Sequence, residues 1–256
     1  MATIIARLAG PLQSYGEQTR FSARGTLPYP TYAALTGLAR AALGLGRQVE
    51  VGASQWLRSL SMAIRVDKAG TLMVDYQTIN PPKTSAYAWL NTSDRKRVEH
   101  TIPTGSGGAW VINHRKPPME TERTYISDAS FTWLIEGNDD EIDRLGNALM
   151  EPRWQLSLGR KACVPDWPLI LGTTDLLMME AIGAVPAIGD EEVPRKVHIL
   201  AGTKPPDAQT ITYADDPVGS HPHDGYRYRD RHIMDITPPV LRTRRELLKW
   251  AKENLR

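Results

Sequence analysis

The sequence predicts an α+β fold whose elements follow the order β-α-β-β-α-β, the split βαβ arrangement of ferredoxin-like folds. A short apolar run over residues 3–8 ends at a Gly-Pro turn, which is typical of a strand. Apolar residues recur at helical spacing after Pro30 and again after Asn138. Segments around residues 61–76 and 125–135 have the composition of strands.

The first half of the chain contains a helix followed by two strands. The helix begins at Pro30-Thr31, carries apolar residues at helical spacing, and ends at Gly44, a residue that favours helix C-termini. Residues 61–66 and 71–76 are predicted to form strands joined as a hairpin through residues 68–70.

The second half of the core begins with a strand predicted over residues 125–135. Asn138 is expected to cap a helix, since three acidic residues in its first turn favour the helix N-terminus. A last strand is predicted over residues 154–158, before Gly159.

Two domains follow from these patterns. Residues 1–185 form the core, which carries an insertion at about 80–123 that is rich in Pro, Gly, Ser, Thr and basic residues. A loop of this length is either a functional projection or a sign that the elements are assigned wrongly. Prolines then divide residues 186–256 into short strands before a helix that begins at Thr243, so a smaller β-rich C-terminal lobe with a terminal helix is predicted.

Composition excludes several classes of protein. With 41% hydrophobic residues and a net charge of +2, the 256-residue chain can bury a core, which excludes disorder. The single cysteine, Cys163, cannot form an internal disulfide and fits a reducing compartment. The N-terminus lacks the pattern of a signal peptide, and no run of 18 apolar residues is present. We therefore expect a cytoplasmic protein that does not cross a membrane.

Charge is distributed unevenly along the chain. The tail from residue 226 to 256 carries nine basic and four acidic residues, whereas residues 166–192 carry six acidic residues and no basic one. Such segregation would let one face bind a polyanion. The alternative is that these charges are simply solvated.

Two segments near the first helix could contact nucleic acid. Gln13, Ser14 and Tyr15, in the turn after the first strand, offer groups that hydrogen-bond and stack. Arg20 and Arg24 precede a helix start, where backbone N–H groups and the helix dipole favour phosphate. The alternatives are an ordinary polar turn and a capped helix with solvated arginines.

The insertion combines basic residues, tryptophans and a Gly-rich stretch over residues 104–108 that lacks the Lys-Ser/Thr of a phosphate-binding P-loop. Basic side chains neutralise phosphates while aromatic rings stack on bases, so the insertion could bind RNA; otherwise it is a solvated loop. Its candidate RNA-binding residues are Arg95, Lys96, Arg97, His114, Arg115 and Lys116.

Further candidates lie towards the C-terminus. Arg160 and Lys161 follow Gly159, where the backbone can approach RNA beside two cations, whereas Cys163 is expected to be a buried structural thiol. The histidines and aspartate within residues 221–224 are too few for a metal site, so a surface loop is favoured and neither metal nor cofactor is predicted.

Residues 226–231 alternate Tyr and Arg, which would place the two types on opposite faces of a strand. This is either a half-buried strand with a basic outer face or part of an RNA groove.

Five blocks of sequence occur in a fixed order along the chain, namely residues 7–16, 30–31 with 37–44, 75–78, 125–132 and 158–163. Together they resemble the CasD-type subunits of type I-E CRISPR Cascade complexes, a family within the RAMP superfamily. The resemblance covers residues 4–172, and more loosely the C-terminal region at Arg229-Asp230. Where the family often has a basic residue after Pro30-Thr31, this chain has Tyr32, so stacking or packing is as well favoured there as a phosphate contact.

The resemblance implies an RRM-related RAMP core with a β-hairpin thumb, which would be the insertion at 80–123. It implies a non-catalytic RNA-binding subunit that binds and caps the 5′ handle of the CRISPR RNA in antiviral defence. A backbone subunit and the large PAM-recognising subunit would be its neighbours, and target DNA would be met through the complex.

The rival reading is a metal-independent endoribonuclease that processes CRISPR repeat RNA, as the homologous subunit does in type I-C systems. Such an enzyme needs a general base and a general acid near a 2′-hydroxyl. The available candidates are His100, His114, Tyr125 and Lys161.

Overall fold

The computed structural model describes residues 1–16, 22–46, 51–79, 84–89, 101–103, 108–112, 119–217 and 225–256. The helices are α1 (Tyr32–Leu43), α2 (Asp139–Met150), α3 (Met178–Ala184) and α4 (Arg244–Asn254), with a 3-10 helix over Val51–Arg58. The strands are β1 (Ala2–Ala9), β2 (Leu12–Gln13), β3 (Tyr15–Gly16), β4 (Ala23–Arg24), β5 (Thr26–Leu27), β6 (Ser61–Lys68), β7 (Thr71–Ile79), β8 (Thr84–Trp89), β9 (Thr101–Pro103), β10 (Gly108–Ile112), β11 (Met119–Ser127), β12 (Ser130–Gly137), β13 (Ile170–Thr174), β14 (Ala187–Ile188), β15 (Arg195–Ala201), β16 (Gln209–Pro217), β17 (Tyr226–Ile236) and β18 (Val240–Leu241).

A seven-stranded sheet in the order β13-β1-β12-β6-β15-β17-β16 organises most of these elements. All neighbouring strands of this sheet pair antiparallel. Its strands β1, β6 and β12 overlap the strands that the sequence predicts over residues 3–8, 61–66 and 125–135. The mixed helix-and-sheet class that the sequence predicts is therefore confirmed.

The two faces of this sheet bury different sets of residues. On one face, α1 and α2 pack against β1, β6 and β12, and this larger core includes Trp133 and Phe131. On the other face, α3 packs against β6, β12 and β15. Arg65 of β6 lies fully buried under α3, where it donates to the carbonyl oxygens of Ile182 and Val185 at 2.6 Å each and pairs with Asp67 at 2.6 Å. A charge can remain buried in this way because its donors are matched.

The predicted helices are confirmed, and their ends follow local signals. Thr31 accepts a hydrogen bond from the backbone of Ala34 at the start of α1, and Gly44 at its end has φ 70°. Asn138 and Glu141 form a capping box at the start of α2. Thr243 forms a capping box with Glu246 at the start of α4. Among the described residues, no helix is long and apolar enough to cross a bilayer.

Three of the predictions about strands are wrong. Residues 154–158 have no regular structure, and the strand beside β1 is β13 instead. The segment 125–135 belongs to two strands, β11 and β12, because the chain turns at Asp128 with φ 55°. The pair β6 and β7 is not a hairpin, since β6 pairs with β12 and β15 whereas β7 pairs with β11.

The chain divides into two compact units, but not at the predicted boundary. The first unit comprises residues 1–17, 25–73 and 124–256, so residues 186–256 belong to it rather than to a separate lobe. The reason is that β15 pairs directly with β6 in the middle of the sheet. The second unit comprises residues 18–24 and 74–123, which include the predicted insertion. Within it, β8, β10 and β9 form a three-stranded antiparallel sheet.

Candidate nucleic-acid interface

The turn after β1 has its three polar side chains in the interior. Gln13 donates to the carbonyl oxygen of Ala129 at 2.8 Å and accepts from the hydroxyl of Tyr15 at 2.5 Å. The hydroxyl of Ser14 donates to the carbonyl oxygen of Thr124 at 3.2 Å. Gln13, Ser14 and Tyr15 are all buried, with 0–2% of their surface exposed. The prediction that these side chains contact nucleic acid is therefore corrected: they fix the turn, and their polar atoms are bonded within the protein.

Tyr15 shows how firmly this turn is held. Burial, with a smaller contribution from Cys163, raises the pKa of Tyr15 well above its ordinary value, so the hydroxyl keeps its proton and donates it to Gln13. Its ring meets Phe131 edge to face, with centroids 6.2 Å apart. The turn is consequently anchored to the sheet.

The loop 156–165 packs directly against this turn. The backbone N–H of Ser14 donates to the carbonyl oxygen of Leu158 at 3.1 Å. Gly159 has φ 90°, and a Cβ placed on it would lie 1.7 Å from the Ser14 carbonyl oxygen. A Cβ on Gly10 would lie 2.6 Å from the carbonyl oxygen of Val164. Two motifs that are separate in sequence thus form one closely packed unit, and only glycine fits at either contact.

Arg160 and Lys161 project from this fixed loop. The guanidinium of Arg160 lies 4.8 Å from the ring centroid of Tyr125, a cation–π contact that orients it, whereas Lys161 is exposed. Cys163 is buried behind them, and burial raises the pKa of its thiol, so the expected structural thiol is confirmed. The structure therefore presents two neighbouring cations on a rigid support.

The other predicted contacts are spread over the chain. Arg24 lies exposed in β4, in register with Arg123 of β11, within the second unit. The rest of the predicted RNA-binding set lies outside the described residues, namely Arg20, Arg95, Lys96, Arg97, His114, Arg115 and Lys116. Residues 221–224, where a metal site is disfavoured, also lie outside them, and no group of three or more potential metal ligands occurs in the part that is described.

The N-terminus of α1, a predicted phosphate seat, already holds a carboxylate of the chain. Asp215 accepts the backbone N–H of Tyr32 at 3.1 Å, and the same oxygen accepts from Arg231 at 3.1 Å. An acidic group at this position interacts favourably with the helix dipole. The predicted external phosphate is thus replaced by an internal anion from β16.

The alternation in β17 is present, but the expected basic outer face is wrong at two of its arginines, because Arg229 and Arg231 pack against tyrosines at the start of α1. Tyr226 and Tyr228 are 47% and 77% exposed, whereas Arg231 is only 3% exposed. The guanidinium of Arg231 lies 4.6 Å from the ring centroid of Tyr29, and that of Arg229 lies 3.9 Å from the ring centroid of Tyr32.

Arg227 and Arg58 extend this row of cations by sharing a carboxylate oxygen of Asp216. The candidate set from the sequence omits Arg58, Arg227 and Arg229. The Tyr/Arg alternation is the signal that could have added the two on β17.

The sequence profile of the family described as "CRISPR-associated protein (Cas_Cas5)" matches residues 3–246, which is most of the chain. The chain belongs to the Cas5 family. It is 31% identical over 173 residues to the CRISPR system Cascade subunit CasD of Escherichia coli (strain K12), a match that covers 66% of this chain and 70% of the relative.

Two solved structures extend this similarity to nearly the whole Cas5 chain. A chain of a structure titled "CRISPR RNA-guided surveillance complex" has a TM-score of 0.70 and 29% identity, over 98% of this chain and 99% of its own. A chain titled "Crystal structure of Cas protein" has a TM-score of 0.59 and 26% identity, over 93% of this chain and 95% of its own. The seven-stranded sheet with its C-terminal strands therefore lies within a fold that is shared with other Cas proteins.

Proposed function

We propose that this Cas5-family chain is a non-catalytic RNA-binding subunit of a type I-E CRISPR surveillance complex (Cascade). In this role it binds and caps the 5′ handle of the CRISPR RNA in antiviral defence. The observation that carries the proposal is the pair Arg160 and Lys161 on a loop locked against the β1 turn. The similarity to CasD and to a chain of an RNA-guided surveillance complex supports it.

The proposed scaffold is a ferredoxin-like RAMP core with a β-hairpin thumb. The sheet order β13-β1-β12-β6 supports it, because a split βαβ unit places its first and third strands between the fourth and second. The insertion at 80–123 would be the thumb, and the separate compactness of residues 74–123 with 18–24 supports this assignment.

In the proposed complex, basic residues of this chain contact the RNA backbone, and base pairing recognises the target. Arg160 and Lys161, with Arg20 and Arg24, neutralise phosphates of the handle. The basic residues of the thumb wedge at the junction between handle and spacer. The sequence of target DNA is then read by base pairing with the guide, not by this chain.

The proposed partners are two subunits that lie on either side of this chain. The chain bridges a backbone subunit and the large PAM-recognising subunit, and target DNA reaches it only through the complex. The test is to purify a tagged copy from cells and identify what accompanies it. Both subunits and one small RNA with a constant 5′ sequence are expected; recovery of the chain without RNA would contradict the proposal.

The RNA contact at Arg160 and Lys161 is tested by Arg160→Ala with Lys161→Ala. Each lost phosphate contact on single-stranded RNA lowers the slope of log K against log salt by about 0.7, so the double variant should lose about 1.4 in slope. A filter-binding titration with the co-purified RNA over a range of salt concentrations measures it. Arg245→Ala with Lys249→Ala, which removes the same charge from α4, is the matched control and should keep the slope.

The endoribonuclease alternative makes an opposite prediction. One of its candidate residues, Tyr125, is buried, and a face of its ring is covered by Arg160. His100 and His114 lie outside the described residues. Purified chain incubated with CRISPR repeat RNA in a chelator should leave the RNA intact, and a specific cut within the repeat would overturn the non-catalytic assignment.

A further inference from the structure

Trp167 is a large aromatic residue that the structure leaves open to solvent. It is 66% exposed, whereas Trp133 of β12 is fully buried in the core. An indole ring is mostly apolar, and its flat face is one on which nucleic-acid bases of any sequence can stack. Because Trp167 contributes little to the core, much of its ring is available to a ligand.

The backbone holds the position of Trp167 from both sides. The N–H of Asp166 donates to the carbonyl oxygen of Ala9 at 2.7 Å, and the carbonyl oxygen of Leu169 accepts from the N–H of Arg7 at 2.7 Å. Leu169 is itself buried. The exposed ring is therefore carried by a segment that is bonded to β1, so little ordering of the backbone is needed when a ligand binds.

Trp167 comes shortly after the loop that carries the proposed phosphate contacts. A Cβ on Gly10, just after β1, would lie 3.4 Å from the side chain of Leu158 and 3.6 Å from the Cα of Pro165. Arg160 is two residues beyond Leu158, and Trp167 is two residues beyond Pro165; two residues of chain span at most about 7 Å. One strand of RNA a few nucleotides long could therefore reach both.

Two arginines face one carboxylate next to Trp167. The Oδ2 of Asp166 lies 3.8 Å from the Nη1 of Arg7 and 3.8 Å from the Nη1 of Arg244. Both separations exceed a hydrogen bond, so these contacts are electrostatic. The Nε of Arg7 is buried and has no hydrogen-bond partner in the part of the chain that the structure describes.

A second carboxylate near Arg7, that of Asp67, is bonded elsewhere. It pairs with the buried guanidinium of Arg65 at 2.6 Å. Burial, followed by the charge of Arg244, lowers the pKa of the Arg7 guanidinium below its ordinary value, so the two cations repel each other. An anion placed beside Arg7 and Arg244 would reduce this repulsion, and the anion that RNA supplies is phosphate.

We propose that Trp167 stacks on an unpaired base of the bound RNA, while Arg7 and Arg244 attract a neighbouring phosphate. The inference rests on the proposed function, because it assumes that the chain binds single-stranded RNA. It adds base stacking to the phosphate contacts at Arg160 and Lys161. Since an indole stacks on any base, this contact raises affinity without reading sequence.

Trp167→Ala in the full chain tests the stacking, with the RNA that co-purifies with the tagged chain as the probe. Loss of one stacked base should raise the Kd about 5- to 150-fold. The slope of log K against log salt should stay the same, because no charge is removed. Trp167→Phe should retain most of the affinity. Trp154→Ala is the matched control, since Trp154 is also exposed, at 47%, and this variant should bind as the unaltered chain does.

Copies of the same RNA that each lack one base of the constant 5′ sequence locate the contact. At one position, the missing base should weaken binding to the unaltered chain but cause no further loss in Trp167→Ala, because the ring and the base form a single contact. Equal losses in the two proteins at every position would overturn the stacking.

Arg244→Gln tests the phosphate contact. One lost contact with single-stranded RNA should lower the slope of log K against log salt by about 0.7. Lys249→Gln, which removes one charge from the same helix, is the control and should keep the slope. An unchanged slope in Arg244→Gln would overturn the phosphate contact.

The remaining outcomes separate this inference from the proposed function. If the unaltered chain binds no RNA, both are overturned. If Arg160→Ala with Lys161→Ala weakens binding and Trp167→Ala does not, only this inference is overturned. If Trp167→Ala binds the RNA normally but no longer co-purifies with the other subunits, the ring is a protein contact and the inference is again wrong.

A measurement on the unaltered chain covers the case in which Trp167→Ala does not fold, as judged by its unfolding midpoint. Ultraviolet cross-linking of the unaltered chain to the RNA, followed by mass spectrometry, then decides. An RNA adduct on Trp167 supports the stacking, and adducts that are confined to other residues overturn it.

Discussion

At the scale of single residues, the closest fit in the candidate interface is between Gly159 and Ser14. Gly159 has a left-handed φ, and its backbone lies close to the Ser14 carbonyl oxygen. Both features are possible because glycine has no side chain. The loop can present Arg160 and Lys161 only if this approach is kept. A methyl group at this position would therefore disturb both the fold and the cationic pair.

We predict that Gly159→Ala destabilises the protein by more than about 2 kcal/mol, because it combines backbone strain with overlap against main-chain atoms. Denaturant unfolding of the purified protein measures the change. Gly37→Ala is the matched control, since nothing lies within 4 Å of a Cβ on Gly37. This control in α1 should gain about 0.5–1 kcal/mol from helix propensity. Equal stabilities of the two variants would contradict the packing described.

His198 supplies a prediction about pH. Burial, together with Arg231 and Lys196, lowers the pKa of His198 to about 4, and its ring lies 4.3 Å from that of Tyr29. An unfolded histidine titrates near pH 6.5, so between the two values the unfolded chain binds more protons than the folded one. The folded protein should therefore lose stability as the pH falls from about 6.5 to 4, by up to about 1.4 kcal/mol per pH unit.

The measurement is the free energy of unfolding at several pH values for the unaltered chain and for His198→Gln. The variant should show a flatter dependence over this range, whatever its stability at neutral pH. An unchanged slope in His198→Gln would refute the assignment.

At the scale of elements, the helices were predictable and the pairing of the strands was not. A helix-capping residue bonds to the backbone three positions further along the chain, so the local sequence is enough to predict where a helix begins. The capping residues here are Thr31, Asn138 and Thr243. Strand pairing depends on partners far along the chain. The turn at residues 68–70 resembles a hairpin, yet it sends β7 to pair with β11 because β12 and β15 already occupy both edges of β6.

The segment 154–158 shows a second limit of periodicity. Leu156 and Leu158 are 7% and 1% exposed, as the apolar pattern predicts. They are buried by an irregular loop that packs on the core, however, and the backbone of Leu158 bonds to Ser14 and Cys163 rather than to a strand. The alternation of apolar residues therefore predicts correctly that Leu156 and Leu158 are buried. It does not show whether the buried segment is a strand or an irregular loop.

At the scale of the whole molecule, the C-terminal quarter completes the main sheet. Prolines divide residues 186–256 into short pieces, and that composition predicts a separate lobe. The structure instead places Val197 and Ile199, at 0% and 1% exposure, in the core beneath α3. Composition could not show this, because it contains no information on which strand an isolated segment pairs with.

We predict that a chain ending at residue 185 fails to fold cooperatively. Removal of β15 would leave β6 with an unpaired edge and would expose the apolar residues that α3 covers. Near-ultraviolet circular dichroism and thermal unfolding of the truncated chain measure it. Co-expression of residues 186–256 should restore a cooperative transition, whereas such a transition in the truncated chain alone would support an independent lobe.

The candidate interface was partly predictable for the same reasons. Arg160 and Lys161 follow a glycine in a loop, and the structure presents both on a fixed support. The burial of Gln13 could not be anticipated, because its partner Ala129 is 116 residues away. The anion at the start of α1 comes from Asp215, 183 residues from Tyr32, so no local pattern indicates that the predicted phosphate position is already filled.

The position of β1 in the sheet has a consequence for biosynthesis. Strand β1 lies between β12 and β13, which are translated more than 120 residues later. The second neighbour of β6, β15, is available only when residues 195–201 have emerged. Nascent β1 and β6 therefore remain unpaired until these distant strands have been translated. A sheet assembled from contacts so distant in sequence forms slowly, and chaperones that shield apolar strands should raise the yield of folded protein.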